Sequence, residues 1–293
     1  MFPYHDSINN KTLKYFKQAK CHPRISKKKK TCLDYKILLK LKKKWNLRHP
    51  DKKIKTKKKN ELFNKLKEAY SNICDNEICW INKGLNGNEN KEKLKLKLFA
   101  PETPKKWHTN INEWLDSTDL NKVMKQYEEK HPNFKFLGPA PIDFDTYKSN
   151  NNCVWPEICN ININNIINSN VDYVGFIFNT DKHYQSGSHW FSLFLNLKDK
   201  YLFFFDSTGK PIPYEIQKLI NKINNQCLNN NIKLKNFNNV GIRHQRGNTE
   251  CGMYCLYFII TLLEKINNYK FFINNHINDN LVQNFRTIYF NKL

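Results

Sequence analysis

The sequence predicts an α+β fold, in which a helix, a meander of strands and a buried helix follow one another along the second part of the chain. Three observations lead to this prediction. Apolar residues recur with helical spacing in the first third of the chain, three short apolar runs in the middle have the length of buried strands, and a run near the C-terminus is apolar on every face. With 293 residues, of which 40% are hydrophobic, the chain is long enough to bury a sizeable core.

The first third of the chain is predicted to be mainly helical. A helix is expected over 33–47 because apolar residues recur every four positions from Leu33 to Trp45. A second apolar stripe predicts another helix over 61–73. The turn-forming residues of 84–90 (GLNGNEN) are typical of a linker.

The charge is distributed unevenly along the chain. Residues 1–100 hold 28 basic and 9 acidic side chains, a net charge of +19, whereas residues 101–293 hold 21 and 17, a net charge of +4. We therefore expect a basic N-terminal arm domain over 1–100 and a second domain over 101–293. The arm is interpreted either as a solvated surface or as an electrostatic grip on nucleic acid or an acidic partner. The absence of a base-reading motif favours binding that is independent of nucleic-acid sequence.

The cysteines and the apolar segments of the sequence indicate in which cellular compartment the protein functions. The longest apolar run, Cys255 to Leu263, is under half of the ~20 residues that span a bilayer, and the N-terminal segment lacks the apolar stretch of a secretory signal. We therefore expect no membrane span, and nine reduced thiols in a cytosol-like environment. Zinc binding is the weaker alternative, because the spacing lacks a Cys-x-x-Cys pair. The residues concerned are Cys21, His22, Cys32, Cys74 and Cys79.

The elements of the second part follow in order. A helix is expected from 117 to about 130, since the segment Ser-Thr-Asp at its start can cap its backbone N–H groups. Buried strands are predicted over 174–178, 190–197 and 201–205. The run 252–263 (GMYCLYFIITLL) has the composition of a helix buried in the core.

The two later strands bring a histidine and an aspartate together. If Lys198 and Asp199 form a two-residue turn, the numbers of facing residues sum to 397. His189 and Asp206 are then diagonal neighbours on one face, at the open end of the hairpin. The carboxylate can accept a hydrogen bond from one ring nitrogen and stabilise the imidazolium. A longer turn would change this register.

Cys251 stands between a polar loop and the buried helix. Its place at the N-terminus of that helix favours the thiolate, and Gly252 leaves room for a substrate. Gln245 lies on the loop leading in, where its amide can donate to an oxyanion. His244 is a weaker candidate base, and lining of the cleft is its favoured interpretation. A lone buried Cys is more often a small hydrophobe, but the ordered set His, Asp, Gln, Cys indicates nucleophilic catalysis.

Three segments, GSHWFSLFLN, YLFFFDSTG and IRHQRGNTECGMYCLYF, resemble the ubiquitin-like-protein-specific (SUMO or sentrin) cysteine proteases. The resemblance covers about 105–293 and includes a segment, EWLDSTDL, like the one that opens this catalytic domain. It is stronger for the branch from large DNA viruses, typified by the African swine fever virus polyprotein protease; the adenovirus protease is more distant. It implies a papain-like or adenain-like core with a central mixed β-sheet and the nucleophile on a buried helix.

The resemblance also implies roles for individual residues. Cys251 is the implied nucleophile, His189 its general base and Asp206 the group that orients the base. Gln245 is implied as the oxyanion donor. Trp190 packs beside the catalytic histidine in this family. The further expectation that Asn179 shapes the substrate cleft comes from its place in the loop before His189. The site residues are therefore His189, Asp206, Gln245 and Cys251, with Trp190 and Asn179 as substrate-binding residues.

The resemblance implies a cysteine endopeptidase that cuts after Gly-Gly-like junctions and matures viral core or capsid precursors. We then expect protein substrates, no metal or organic cofactor, and a place in the virion and the host cytoplasm. Whether DNA or a peptide activates the enzyme, and its oligomeric state, stay open. One alternative is a deconjugating isopeptidase acting on SUMO or ubiquitin; another is a basic nucleic-acid-binding scaffold whose protease fold is inactive.

Overall fold

The structure is a computed structural model that describes residues 21–25, 31–74, 76–85, 90–148 and 152–291. Most of the predicted linker and the lysine run that precedes residue 31 lie outside these described residues. In the described part of the chain, no helix is both long and apolar enough to span a bilayer.

The chain forms two compact units. One unit runs from Thr103 to Ile288, and the other contains the described residues before Thr103 together with the end of the chain from Tyr289. The described closing residues 289–291 therefore group with the N-terminal unit and not with the unit that precedes them in the sequence.

The smaller unit is built from amphipathic helices. The side chain of Asp34 accepts a hydrogen bond from the backbone N–H of Ile37 and so caps the first helix. Leu41, Leu62 and Leu66 are fully buried in a common core, which confirms the two predicted helices with bounds shifted by one to three residues. Its helices are α1 Tyr35–Arg48, α2 Lys59–Tyr70, α3 Glu77–Gly84 and α4 Lys91–Leu98.

The cysteines correct one prediction. Six of the nine are paired in disulfides, so the expectation of nine reduced thiols is wrong for those six. The partners are 5 to 11 residues apart in the sequence, and the fold brings their Cα atoms to within 5.3–6.4 Å. Four of these cysteines are the ones considered for zinc. The pairs are Cys21–Cys32, Cys74–Cys79 and Cys153–Cys159, and the free thiols are Cys227, Cys251 and Cys255.

The larger unit contains a five-stranded mixed sheet in the order β1-β2-β3-β4-β5, which confirms the α+β fold. Strands β2, β3 and β4 form an antiparallel meander, and the two edge strands pair parallel to their neighbours. The strands are β1 Phe134–Pro141, β2 Tyr173–Asn179, β3 Trp190–Asn196, β4 Tyr201–Phe205 and β5 Lys235–Asn238.

The hairpin between β3 and β4 has the predicted register. Ser192 faces Phe205 and Asn196 faces Tyr201, so facing residues sum to 397. The ladder nevertheless ends at Asn196, and the turn comprises the four residues 197–200 instead of two. Within it, the side chain of Asn196 accepts from the backbone N–H of Asp199 at 2.7 Å. The longer turn keeps the register because it adds one residue on each side.

The helices pack on both faces of the sheet. Helix α5 (Ser117–Lys130) begins at a capping box formed by Asp116 and Asp119. Helix α9 (Cys251–Leu263) is buried at every one of its residues, as predicted, and Phe258 stacks on Phe205 of β4 with ring centroids 4.6 Å apart. The other helices are α6 Pro156–Cys159, α7 Ile163–Asn168, α8 Tyr214–Asn229, α10 Tyr269–Asn274, α11 Asp279–Asn284 and α12 Arg286–Tyr289.

Candidate active site

The structure brings His189 and Asp206 together at the open end of the hairpin. The ring Nε2 of His189 lies 3.0 Å from Oδ1 of Asp206. Both side chains are largely buried, with 13% and 4% of their surface exposed. Because the carboxylate engages Nε2, the orientation of the ring is fixed and Nδ1 is left for the thiol.

Asp206 is held from several directions. The backbone N–H of Asp206 donates to the side-chain oxygen of Asn239 at 2.9 Å, and the amide of Asn239 donates back to the Asp206 carbonyl at 2.7 Å. The hydroxyl and the backbone N–H of Thr208 both donate to Oδ1 of the carboxylate, at 2.6 and 2.7 Å. Asn239 itself is fully buried. The carboxylate therefore has little freedom to leave the histidine.

The two groups stabilise each other's charged forms. Burial alone would lower the pKa of His189, but hydrogen bonds with Asp206 and Cys251, and the charges of both, raise it from 6.5 to about 9. Burial would raise the pKa of Asp206, but the hydrogen bond and charge of His189, with the two bonds from Thr208, hold it below its ordinary value. At neutral pH the pair is therefore an imidazolium and a carboxylate.

Cys251 is the first residue of α9 and is 2% exposed. Its sulfur therefore lies at the end of the helix where backbone N–H groups have no partner within the helix. Gly252 follows, and space around it is tight: an added Cβ would lie 3.2 Å from the Leu115 side chain and 3.4 Å from the ring of Trp190. A side chain at this position would press on the cleft wall, which approaches the backbone closely.

Gln245 is buried beside the site, and its amide has a defined orientation. The hydroxyl of Ser207 donates to Oε1 of Gln245 at 2.7 Å, so Nε2 is turned the other way. Nε2 donates one hydrogen to the carbonyl of Gly247 at 3.1 Å, which leaves a second N–H for an oxyanion. Backbone bonds from Gln245 and His244 to the Ser207 carbonyl fix the same loop.

A cleft of about 580 Å³ lies beside this constellation and includes Trp190 and Asn179 in its wall. The indole N–H of Trp190 donates to the Leu115 carbonyl at 3.0 Å. Asn179 is 8% exposed, and its Oδ1 accepts from the backbone N–H groups of Asp181 and Ser188, so it braces the loop between β2 and β3. Both residues line the cleft, but Asn179 is the last residue of β2 and not, as the sequence predicted, part of the loop before His189.

The structure places His244, the weaker candidate base, and the neighbouring thiol Cys255 in the core. His244 is fully buried in the core, its Nε2 lies 3.1 Å from the Phe272 carbonyl, and its Nδ1 accepts from Ile277. Burial lowers its pKa to about 4, so it is a neutral core residue that does not line the cleft. Cys255, one turn after Cys251, is fully buried, and burial raises its pKa well above the usual value.

Sequence reasoning missed three contributors. Ser207 anchors the glutamine, and its place directly after Asp206 was the available signal. Asn239 clamps the aspartate from 33 residues away, for which the sequence carries no local signal. Trp114 lines the cleft and belongs to the EWLDSTDL segment. Among the residues that the structure describes, no cluster of His, Cys, Asp and Glu is arranged to hold a metal ion.

The arrangement has the parts that thiol-dependent acyl transfer requires: a sulfur at a helix N-terminus, an imidazole oriented by a carboxylate, and an amide donor nearby.

Comparison with known proteins indicates the same kind of chemistry. Residues 118–293 match the model of the Ulp1 protease family, C-terminal catalytic domain. A protein of Acanthamoeba polyphaga mimivirus named as a thiol protease is 32% identical over 247 residues, which are 81% of this chain and 76% of that protein.

Two further similarities concern African swine fever virus. Its SUMO-1 cysteine protease is 31% identical over 115 residues, which cover 39% of this chain and 42% of that protein. The crystal structure of a protease of the same virus superposes with a TM-score of 0.70 at 21% identity, and covers 94% of this chain and 97% of that one. At this identity, the superposition supports the fold alone.

Proposed function

Because this chain belongs to the Ulp1 protease family and is a cysteine protease, we propose that Cys251 is its nucleophile and His189 its general base. The observation that carries the proposal is the buried hydrogen bond between His189 and Asp206 beside the thiol at the start of α9. The imidazolium stabilises the thiolate before attack, and the carboxylate keeps the ring in position.

The proposed reaction has two acyl-transfer steps. The Cys251 sulfur bonds to the scissile carbonyl carbon, and the carbonyl electrons move to oxygen, where the Gln245 amide and the Cys251 backbone N–H stabilise the oxyanion. His189 donates its proton to the leaving amine as the C–N bond breaks. It then takes a proton from water, whose oxygen attacks the thioester, and the C–S bond breaks to release the acid and the thiolate, which restores the starting ion pair. No other reactant is required.

We propose that the substrates are proteins cut after a glycine-rich, Gly-Gly-like sequence. The close approach of Leu115 and Trp190 to Gly252 supports this, because side chains next to the scissile bond would have little room. The viral relatives favour maturation of viral core or capsid precursors, in the virion or in the cytoplasm of the infected cell. Release of SUMO-like or ubiquitin-like proteins is the alternative, favoured by the name of the swine fever virus relative.

Purified protein mixed with precursor polypeptides and with Gly-Gly-X peptides tests the proposal, and the new N-termini are identified by mass spectrometry. We expect a residue that follows glycine at each new N-terminus. Cys251→Ala and His189→Ala should abolish cleavage, and Gln245→Ala should reduce the rate roughly 10²–10³-fold. Turnover of ubiquitin-like probes alone would favour deconjugation. If Cys251→Ala leaves all activity intact, the inactive scaffold is the better description.

We further propose that the smaller unit binds nucleic acid without sequence preference. The segment 31–70 contains 14 basic and 4 acidic residues. Lys52, Lys53 and Lys57 lie exposed on the connection between α1 and α2. Binding of a duplex oligonucleotide should weaken steeply with salt, because phosphate contacts release counterions.

Charge reversal of these three lysines tests this surface in the full chain. We expect the variant to lose roughly tenfold or more in affinity and to have a smaller salt slope. Reversal of Lys233, Lys235 and Lys270, which are exposed on the larger unit, is the matched control. Equal losses in both variants would assign the binding to net charge alone and reject a dedicated surface.

A further inference from the structure

Arg286 is one of the largest fully buried side chains among the described residues, and the proposed mechanism does not use it. It belongs to the short helix α12, far from the nucleophile in sequence. Its guanidinium reaches two separate parts of the site, the residue before Cys251 and the segment that leads into the cleft wall. The partners of this guanidinium are therefore decisive, because a buried cation is unfavourable unless it is paired and hydrogen-bonded.

All five N–H groups of the guanidinium have acceptors. Toward the nucleophile, Nε and Nη2 donate to the carboxylate of Glu250 at 2.9 and 2.8 Å, and Nη2 also donates to the Thr249 carbonyl at 3.3 Å. Toward the cleft, Nη1 donates to the carbonyls of Ile111 and Glu113 at 3.0 and 2.9 Å. This is the full donor capacity of arginine, and lysine could not reproduce it.

Through these contacts, Arg286 links the residue before the nucleophile to the segment that forms the cleft wall. Glu250 immediately precedes Cys251, and its side chain is 4% exposed. Glu113 immediately precedes Trp114, which lines the cleft, and the next residue, Leu115, accepts the indole hydrogen bond of Trp190. Trp107 completes the connection: its ring lies 4.2 Å from the guanidinium carbon, and its indole N–H donates to the Glu113 carbonyl at 2.8 Å.

We propose that Arg286 is a positioning residue that fixes the cleft wall at 111–115 against the start of α9 and neutralises Glu250 beside the nucleophile. The second role follows from charge. A carboxylate one residue from Cys251 opposes a thiolate unless a cation cancels it. From the sheet side, His189 faces the same thiol and is itself paired with Asp206, so the bidentate pair of Arg286 and Glu250 leaves the imidazolium as the charge next to the sulfur.

The inference rests on the proposed role of Cys251, and its test separates the two claims. The rate of Cys251 alkylation by iodoacetamide is measured by mass spectrometry in folded protein at neutral pH. Wild-type Cys251 that reacts no faster than Cys227 and Cys255 would contradict the proposed function. In the Arg286→Met variant, we expect Cys251 alkylation to slow roughly tenfold and its pH profile to move about one unit upward.

A second substitution separates charge from position. Adding Glu250→Gln to Arg286→Met removes the unpaired carboxylate, so the alkylation rate should return to within about threefold of wild type. The contacts of Arg286 with the Ile111 and Glu113 carbonyls stay lost. Hydrogen exchange in 111–115 should therefore be faster in both variants, and a Gly-Gly vinyl sulfone should show a raised inhibition constant.

Glu264→Gln is the matched control. Glu264 lies at the other end of α9, is 4% exposed, and forms a buried ion pair with Lys130 and hydrogen-bonds His131. Its loss should lower the melting temperature without changing Cys251 alkylation or exchange in 111–115. The proposal is overturned if Arg286→Met leaves alkylation at the wild-type rate, if Glu250→Gln does not restore it, or if the control slows it equally.

Discussion

The ion pair of His189 and Asp206 makes folding stability depend on pH in a defined window. The perturbation is Asp206→Asn, which removes the carboxylate charge and keeps the size of the side chain. The rise in the His189 pKa from 6.5 to about 9 corresponds to about 3 kcal/mol, at about 1.4 kcal/mol for each pH unit. Asp206 supplies the larger part of that rise and the Cys251 thiol the remainder.

The sign follows from which state binds the proton more tightly. The folded protein holds the His189 proton more tightly, so this stabilisation is fully present below pH 6.5 and is lost as the pH rises through about 9. The Asp206 pKa is lowered on folding, so its share is present above pH 3.8 and is lost as the pH falls below that value. The stability difference between wild type and variant should therefore be greatest between about pH 4 and 6.5.

Urea unfolding of both proteins at pH 5, 7 and 9.5 measures this difference. We expect about 2–3 kcal/mol at pH 5 and a clearly smaller value at pH 9.5. Asp143→Asn is the control, since Asp143 pairs with His183, which is 38% exposed; we expect less than about 1 kcal/mol there. A difference for Asp206→Asn that stays constant from pH 5 to 9.5 would refute the reasoning.

Three further predictions concern neighbouring features. Ser207→Ala should slow peptide hydrolysis roughly tenfold with little change in KM, because Gln245 loses the bond that orients its amide; an unchanged kcat would contradict this. Gly252→Ala should reduce kcat/KM and destabilise the fold by about 1 kcal/mol, since the new Cβ would lie 3.2 Å from the Leu115 side chain; wild-type kinetics would show that the wall yields. Glu264→Gln should destabilise the protein by about 2 kcal/mol at pH 7, measured by urea unfolding. That loss should shrink as the pH falls from 4.5 toward 2, because the Glu264 pKa is held at about 2.

Local patterns account for much of the fold. The strands β2, β3 and β4 and the helix α9 were predicted because they are buried on both faces and therefore read as continuous apolar runs. Strand β1 escaped prediction because Gly138 and Pro139 interrupt it, and both residues are disfavoured inside strands. Strand β5 escaped because only one of its four residues is even partly buried.

The candidate site also has a part that the sequence predicts and a part that it does not. His189 and Asp206 could be paired from the sequence because the hairpin register is a local property of the chain. The partners that hold the site come from distant segments: Asn239 lies 33 residues from Asp206, and Arg286 lies 36 from Glu250. Such contacts follow only from the packing of the whole unit, which one sequence does not reveal.

The four-residue turn at 197–200 limits how this enzyme can vary through evolution. The composition of the turn is open to change at Lys198 and Asp199, which are exposed, whereas Leu197 is buried and Lys200 has a left-handed backbone. Its length is not, since the insertion or deletion of one codon would slip β4 against β3 and turn Asp206 to the opposite face of the sheet. Among active homologues, the gap between His189 and Asp206 should therefore change only by even numbers of residues.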